Sequence, residues 1–318
     1  MQRILVLGAT GDQGHPLLDR IIAAGLTPVA AVRSTAAFAG TRYADVEKII
    51  TDIADERSLT DAAKHVDAIA AHLPFEFDRS KAAQYGANIA VAAKAAQLQK
   101  IVFNTSCYVH DTDIDLSAHD GRRDIEAAII GSGVPYAIFE PKVFMDNIIR
   151  SWCKPGIVQR GVYAYPAGPT LKINFICLDD VAAFMVAALQ KPEINGRFAI
   201  GGPQTLTGFD VADILSEVAG KIITFKSLTP DEFASAMSLL VTGNPEVEPA
   251  SIYDRMASFY RWYNAQPQSP LVIDPEPVAK QFGVTLTPLA TWAARQDWTD
   301  PSDPALATRM AGLAAPAG

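Results

Sequence analysis

Residues 3–14 read RILVLGATGDQG, an apolar segment that runs straight into three glycines. Ile4 to Leu7 are too few to span a bilayer or form a secretion signal core, and the glycines follow at once, so the segment reads as a buried strand. Gly8, Gly11 and Gly14 then mark a turn that opens a helix. In such a turn one glycine permits the bend and a second lets the backbone approach a phosphate. The third packs the helix closely on the strand. The helix N-terminus offers unpaired N–H groups and the positive end of its dipole to an anion. Pro16 suits the first helical turn, where no intrahelical donor is lost. Thr10, Asp12 and Gln13 complete the phosphate-facing turn of a dinucleotide site.

Downstream the same alternation repeats. Strands are expected at Pro28–Arg33, Lys48–Thr51, Ala68–His72, Ile101–Asn104 and Tyr136–Phe139, separated by helices over Leu17–Ala24, Ser58–His65, Ala82–Gln97 and Arg123–Ile130. Short apolar strands separated by helices imply a doubly wound α/β fold with a parallel, buried sheet. The expected domains are 1–150, with 171–200 returning to it, and a smaller, mainly helical one from 151–170 and 201–318. The return consists of a helix at Asp179–Leu189 and a strand at Arg197–Ile200. Further helices are expected at Gly208–Ala219, Pro230–Leu240 and Ser251–Tyr263. Trp152–Pro169 shows no clear period, and the Pro/Ala-rich end from Asp300 reads as a weakly anchored tail.

The end of the second strand decides which nucleotide is bound. An NAD site places a carboxylate there for the ribose hydroxyls. This chain has Arg33 and Ser34, and a guanidinium pairs with a 2′-phosphate, so NADP(H) is expected over NAD(H). Asp52 and Ile53, after the third strand, would contact the adenine, although an aspartate there equally suits a helix cap. Leu73, Pro74 and Phe75, after the fourth, would lie near the central ribose and nicotinamide.

Composition narrows the partners. A net charge of -8 gives no positive field for nucleic acid, no apolar run reaches a membrane span, and Cys107, Cys153 and Cys177 lack metal-ligand spacing. A cytoplasmic protein with reduced, buried thiols and a small-molecule substrate is expected, with oligomeric state left open.

Four segments carry a resemblance to the NmrA-like branch of atypical short-chain dehydrogenases/reductases. They are the glycine turn with Arg33; IEAAIIGSGVPYAIFEPKVFMDN, ending at Asn147; INFICLDDVAAFMVAAL, 173–189; and AIGGPQTLTGFDVADILSEVAGKIITF, 199–225. The resemblance implies a Rossmann-like domain, a small C-terminal domain with a substrate cleft, and NADP(H) as ligand. Members include quinone and isoflavonoid-type reductases as well as nucleotide-binding regulators without turnover. In the matched helix Arg122 stands at the position of the usual lysine and Ala118 at that of the tyrosine, so the Tyr-x-x-x-Lys pair is absent, and His119 lies one place off. Glu140 replaces the family's arginine before Pro141.

The candidate catalytic groups are therefore Ser106, Tyr108, His119 and Arg122. Ser106 and Tyr108 follow the fifth strand, where hydroxyls meet a substrate carbonyl. His119 is a proton donor or a solvated histidine. Arg122 is a fixed cation for ribose or substrate oxygen, or an exposed helix residue, since its pKa excludes acid–base work. Phe144 completes the nicotinamide surroundings. Phe75, Tyr108, Glu140, Asn147 and Trp152 would line the substrate side. Tyr253, Met256, Tyr260 and Tyr263 recur at helical spacing, more in keeping with core than with a pocket wall. The expected activity is NADPH-dependent reduction of a small aromatic or quinone-like carbonyl or enone. The alternative is a non-enzymatic NADP(H) sensor that binds a partner protein. An epimerase or dehydratase would need the missing tyrosine.

Overall fold

The computed structural model describes residues 2–303. Seven strands form one sheet: β1 (Arg3–Leu7), β2 (Thr27–Val32), β3 (Glu47–Ile50), β4 (Ala68–His72), β5 (Lys100–Asn104), β6 (Tyr136–Pro141) and a late strand, Gly196–Ile200. Their order across the sheet is late strand-β6-β5-β4-β1-β2-β3, and every pairing is parallel. The order reverses beside β1, which opens a crevice at the carboxyl ends of β1 and β4.

The helices of this part are α1 (Gly14–Ala23), α2 (Glu56–Ala63), α3 (Arg79–Ala95), α4 (Ser117–Gly131) and a returning helix, Leu178–Gln190. Alternate residues of each strand face opposite sides. Leu5, Leu7, Ile69, Ile101 and Phe103 form one core with Leu59, Ile89, Ile125 and Ile129 of α2, α3 and α4. On the other side α1 packs against the returning helix, and Arg20 forms a forked pair with Asp179 at 2.9 and 2.5 Å. Lys100 is buried, and its ammonium donates to the carbonyls of Lys191, Pro192 and Ile194 at 3.1, 3.3 and 2.5 Å. A cation thereby satisfies the carbonyl-rich end beyond the returning helix and fixes the turn into the late strand.

The remaining elements are β7 (Val143–Phe144), α5 (Lys154–Arg160), β8 (Val162–Tyr165), β9 (Phe175–Ile176), α6 (the returning helix), β10 (the late strand), α7 (Gly208–Ala219), β11 (Thr224–Ser227), α8 (Pro230–Thr242), α9 (Ile252–Ala265), α10 (Glu276–Phe282) and α11 (Leu289–Ala293). The chain divides into two compact units. The first runs to Pro141 and includes Leu178–Ile200 and Pro277–Thr285; the second takes Lys142–Cys177, Gly201–Glu276 and the described residues from Leu286. The boundary thus falls at Pro141 rather than at residue 150, because β7 pairs with β9 inside the second unit. Phe282 belongs to the first unit, where it packs edge-on against Phe139 and Phe198 at 5.2 and 4.9 Å.

Within the second unit, α5 and β8 occupy the stretch that shows no period in the sequence. α5 is barely two turns long, and β8 pairs only with the distant β11, so neither leaves a local pattern. Residues 300–303 are not loose, contrary to expectation. Asp303 is buried, accepts from the Ser151 N–H at 3.0 Å and pairs with Arg150 at 3.4 Å, while Lys154 donates to the Ser302 carbonyl at 3.0 Å. The rest of that expected tail lies outside the described residues.

Helices α3 and α4 meet through small residues. A β-carbon on Gly86 would stand 2.8 Å from Cα of Ile125, whereas one on Gly131, exposed at the end of α4, would meet nothing within 4 Å. Replacing glycine by alanine in a helix normally gains about 1 kcal/mol. Gly131→Ala should raise stability by up to about that amount, and Gly86→Ala should lower it by about 1–2 kcal/mol because the helices must part. Denaturant unfolding of both variants checks the opposite signs.

Candidate active site at the carboxyl edge of the sheet

The three glycines of the first turn serve different ends. Gly8 has φ +81°, and a β-carbon there would lie 2.6 Å from both Nε2 and the carbonyl oxygen of His72. At Gly14 a β-carbon would lie 2.4 Å from the carbonyls of Gly8 and Ala9, so α1 starts directly on the strand end. Gly11 differs: a β-carbon would meet no atom nearer than 3.5 Å, and its φ is not positive. Neither strain nor crowding calls for glycine there, which leaves close approach of a ligand as its use. The turn closes through Gly11 N–H to the Gly8 carbonyl at 3.0 Å and Gly14 N–H to the Gly11 carbonyl at 2.9 Å. Thr10 is exposed and Asp12 and Gln13 are half-buried on this rim. A pyrophosphate group fits such a cradle.

Gln13 caps no helix donor with its side chain. Its Oε1 instead accepts from Asn104 Nδ2 at 2.7 Å and from Ser106 Oγ at 3.1 Å. Asn104 Oδ1 in turn accepts from the Ser106 N–H at 2.8 Å, and Ser106 sits at φ +64°. A left-handed serine costs about 1–2 kcal/mol, and these bonds hold it. Ser106 is therefore joined to the glycine turn, not to its own loop backbone. Sequence reasoning missed Asn104 and His72. Both are polar residues ending apolar strands, β5 and β4, and that contrast was the available signal.

Arg33 and Ser34 lie exposed just past β2. Arg33 makes no ion pair or hydrogen bond among the described residues. Ser34 Oγ accepts from the Ala36 N–H at 3.2 Å. Asp52 accepts from the Ala54 N–H at 2.9 Å, but the cap of α2 is Asp55, which takes the amides of Arg57 and Ser58. The capping alternative for Asp52 is thus excluded. Ile53 is half-buried and its carbonyl accepts from Asn88 at 2.8 Å.

Arg122 is 2% exposed, which overturns the reading of it as a surface helix residue. One terminal nitrogen donates to the carbonyls of Leu73 and Pro74 at 2.7 and 2.8 Å, and the guanidinium lies 5.4 Å from the Phe75 ring. It also bonds the Cys107 thiol, yet among the described residues its Nε has no hydrogen-bond partner and it forms no ion pair. A buried cation without a counter-charge is costly and favours any nearby anion or carbonyl. Its charge and burial depress the neighbouring histidines. His119, buried in α4, falls to about 3, and His72, bonded to the Gly8 backbone, to about 4, burial being the larger cause for each. His119 is accordingly no solvated histidine, and it stays neutral at physiological pH. Cys107 is pushed up to about 12 by burial and remains a thiol. Cys153 and Cys177 are buried as well.

Tyr108 is half-buried beside Ser106, and burial, Asp111 and Glu140 raise its pKa, so the phenol keeps its proton at neutral pH. Glu140, next to last in β6, is buried. Its Oε1 lies 2.9 Å from Nε of Arg197 on β10, and Glu126 of α4 lies 3.0 Å from the same nitrogen. Arg197 thus supplies from the neighbouring strand the positive charge that the resemblance places at position 140. No local pattern hints at the trio, since its members come from three elements.

Phe144, Asn147 and Trp152 fall in the second unit. Asn147 hydrogen-bonds Tyr165, whose hydroxyl accepts from that of Tyr260 at 2.8 Å, and Trp152 packs on Tyr165 and Phe233, both at 5.4 Å. Tyr263 is buried in the same cluster, and Tyr253 and Met256 are half-buried. Among the described residues no cluster of metal ligands occurs and no helix is long and apolar enough to cross a membrane.

Residues 1–291 match the model of the NmrA-like family. A (4-alkanoyl-5-oxo-2,5-dihydrofuran-3-yl)methyl phosphate reductase of Streptomyces griseus is 32% identical over 74% of this chain and 80% of its own. An NAD(P)H azoreductase of Xenophilus azovorans is 29% identical over 81% of this chain and 86% of its own. The structure of NADPH-dependent quinone oxidoreductase QOR2 of Escherichia coli, complexed with NADPH, superposes with a TM-score of 0.75 at 23% identity, covering 92% of this chain and 98% of that one. The glycine turn, the sheet order and the match along nearly the whole chain agree: this protein belongs to the NmrA-like family.

Proposed function

We propose that this NAD(P)H-dependent oxidoreductase prefers NADPH and reduces a small, aromatic or quinone-like carbonyl or enone. The observation that carries the reading is the bond from Ser106 to Gln13, which fastens the loop bearing two hydroxyl donors to the rim of the nucleotide turn. The reductase names of the relatives support it.

Gly8, Thr10, Gly11, Asp12, Gln13 and Gly14 hold the pyrophosphate in this reading. Arg33 and Ser34 take the 2′-phosphate, Asp52 and Ile53 border the adenine, and Leu73, Pro74 and Phe75 surround the nicotinamide end. When bound, the reduced nicotinamide supplies the hydrogen and two electrons that a carbonyl or quinone accepts. Arg122 stabilises negative charge developing on the substrate oxygen without exchanging a proton. Tyr108 gives that oxygen its proton and Ser106 orients it. His119, held neutral, preserves the apolar setting of Arg122. Phe75, 42% exposed, offers a flat face to an aromatic substrate, with Glu140 on the substrate side.

Purified protein oxidising NADPH with a member of a quinone, enone and aromatic aldehyde panel supports the reading. Tight NADPH binding with no turnover across the panel favours the sensor. Arg33→Ala should weaken NADPH about 10- to 100-fold, the loss of a charge-assisted bond, and leave NADH almost unchanged. Equal loss for both cofactors would remove the 2′-phosphate assignment. Tyr108→Phe should lower kcat about 100-fold or more while NADPH affinity holds. His119→Gln should leave the activity profile between pH 5 and 8 unshifted, since the imidazole titrates near 3.

A further inference from the structure

The segment from Thr105 to Leu116, which carries Ser106 and Tyr108, is held to the first unit by its acidic side chains. Asp113 pairs with Arg79 and Arg123, and farther back Asp111 reaches Arg197 on β10 at 3.1 Å. Arg197 is therefore shared three ways. Its Nη1 serves Asp111, and its Nε serves both Glu126 and Glu140.

The three carboxylates differ in their access to water. The side chains of Glu126 and Glu140 are 2% and 9% exposed, whereas that of Asp111 is 86% exposed. One N–H cannot satisfy two buried carboxylates, and among the described residues Glu126 Oε1 has no hydrogen-bond partner. Two acids this close cannot both ionise without strong mutual repulsion, so the pair retains one proton.

We propose that Arg197 is a positioning residue for the Ser106–Tyr108 loop, and that the buried Glu126–Glu140 pair sets its hold by keeping or releasing one proton. With the proton in place, Arg197 has charge to spare for Asp111. Once it is lost, two buried carboxylates compete for the guanidinium. Asp111, the only one of the three that water can solvate, lets go. Asp113 still holds the far half of the loop and Gln13 still holds Ser106, so the part released is Cys107 to Asp111. Burial and Glu140 push Glu126 up to about 8, against the opposing charges of Arg197 and Arg123 and with Asp111 adding to the rise. The release therefore falls in the mildly alkaline range. Its bearing on catalysis rests on the roles given above to Ser106 and Tyr108; the loop's attachment does not.

Hydrogen–deuterium exchange of the full-length protein at pH 7 and pH 9, corrected for the intrinsic pH dependence of exchange, reads the attachment directly. In the wild type, protection of residues 107–111 should fall about two- to fivefold at pH 9, as suits a partly exposed ion pair. Glu126→Gln, which keeps the neutral form, should show equal protection at both pH values, and Asp111→Asn should show the low value at both. If Glu126→Gln loses protection as the wild type does, or Asp111→Asn is as protected as the wild type at pH 7, the proposal fails. In turnover, kcat should fall over the same interval in the wild type and not in Glu126→Gln, with KM for NADPH unmoved. Exchange that behaves as stated beside a Tyr108→Phe variant of full activity would retain the tether and discard the catalytic reading of the loop.

Discussion

One carboxamide oxygen, that of Gln13, makes a single surface out of two separate pieces of chain. The glycine turn belongs to β1 and the serine loop to β5, with β4 between them. Both Asn104 and Ser106 donate to the same Oε1, and Asn104 closes the triangle on the Ser106 amide. Without that oxygen Ser106 would have less reason to hold a left-handed backbone, and the rim of the crevice would lose its register with the loop. Parallel strands deliver their carboxyl ends to one edge, but hydrogen bonds of this kind turn an edge into a site.

Charge does the rest with few carriers. Lys100 meets three carbonyls, Arg122 two, and Arg197 three carboxylates. Each is at least partly sheltered, and each ties together segments distant in sequence. Arg122 stands apart because two buried histidines share its surroundings. Dipoles partly compensate its charge, and what remains adds to burial in keeping the His119 and His72 imidazoles unprotonated.

The sheet was legible because its strands are apolar runs bounded by turn residues, and the helices because their periodicity is local. β5 needed only the run before Asn104, and α7 was legible from end to end. What stayed hidden depends on pairing at a distance. β8 finds its partner in β11, Asp303 finds Arg150 and Ser151, and Arg197 meets acids on α4 and β6. The site was half legible for the same reason. Glycine spacing and Arg33 could be read in place. The burial of Arg122 and His119 could not, because a helix pattern reports a face only when that face is apolar, and here the buried face of α4 carries His119, Asp120, Arg122 and Glu126.

The glycine turn has a consequence for how such a chain can diverge. Gly8 and Gly14 are dictated by the protein's own atoms, His72 in one case and the carbonyls of Gly8 and Ala9 in the other. Gly11 is the one of the three that the chain's own atoms do not require, and in the proposed reading it answers to the nucleotide. A descendant that gave up its nucleotide would be free to exchange Gly11, yet would keep its two neighbours for as long as it kept the fold. In this scaffold the outer glycines are a record of architecture, and the middle one is the record of use.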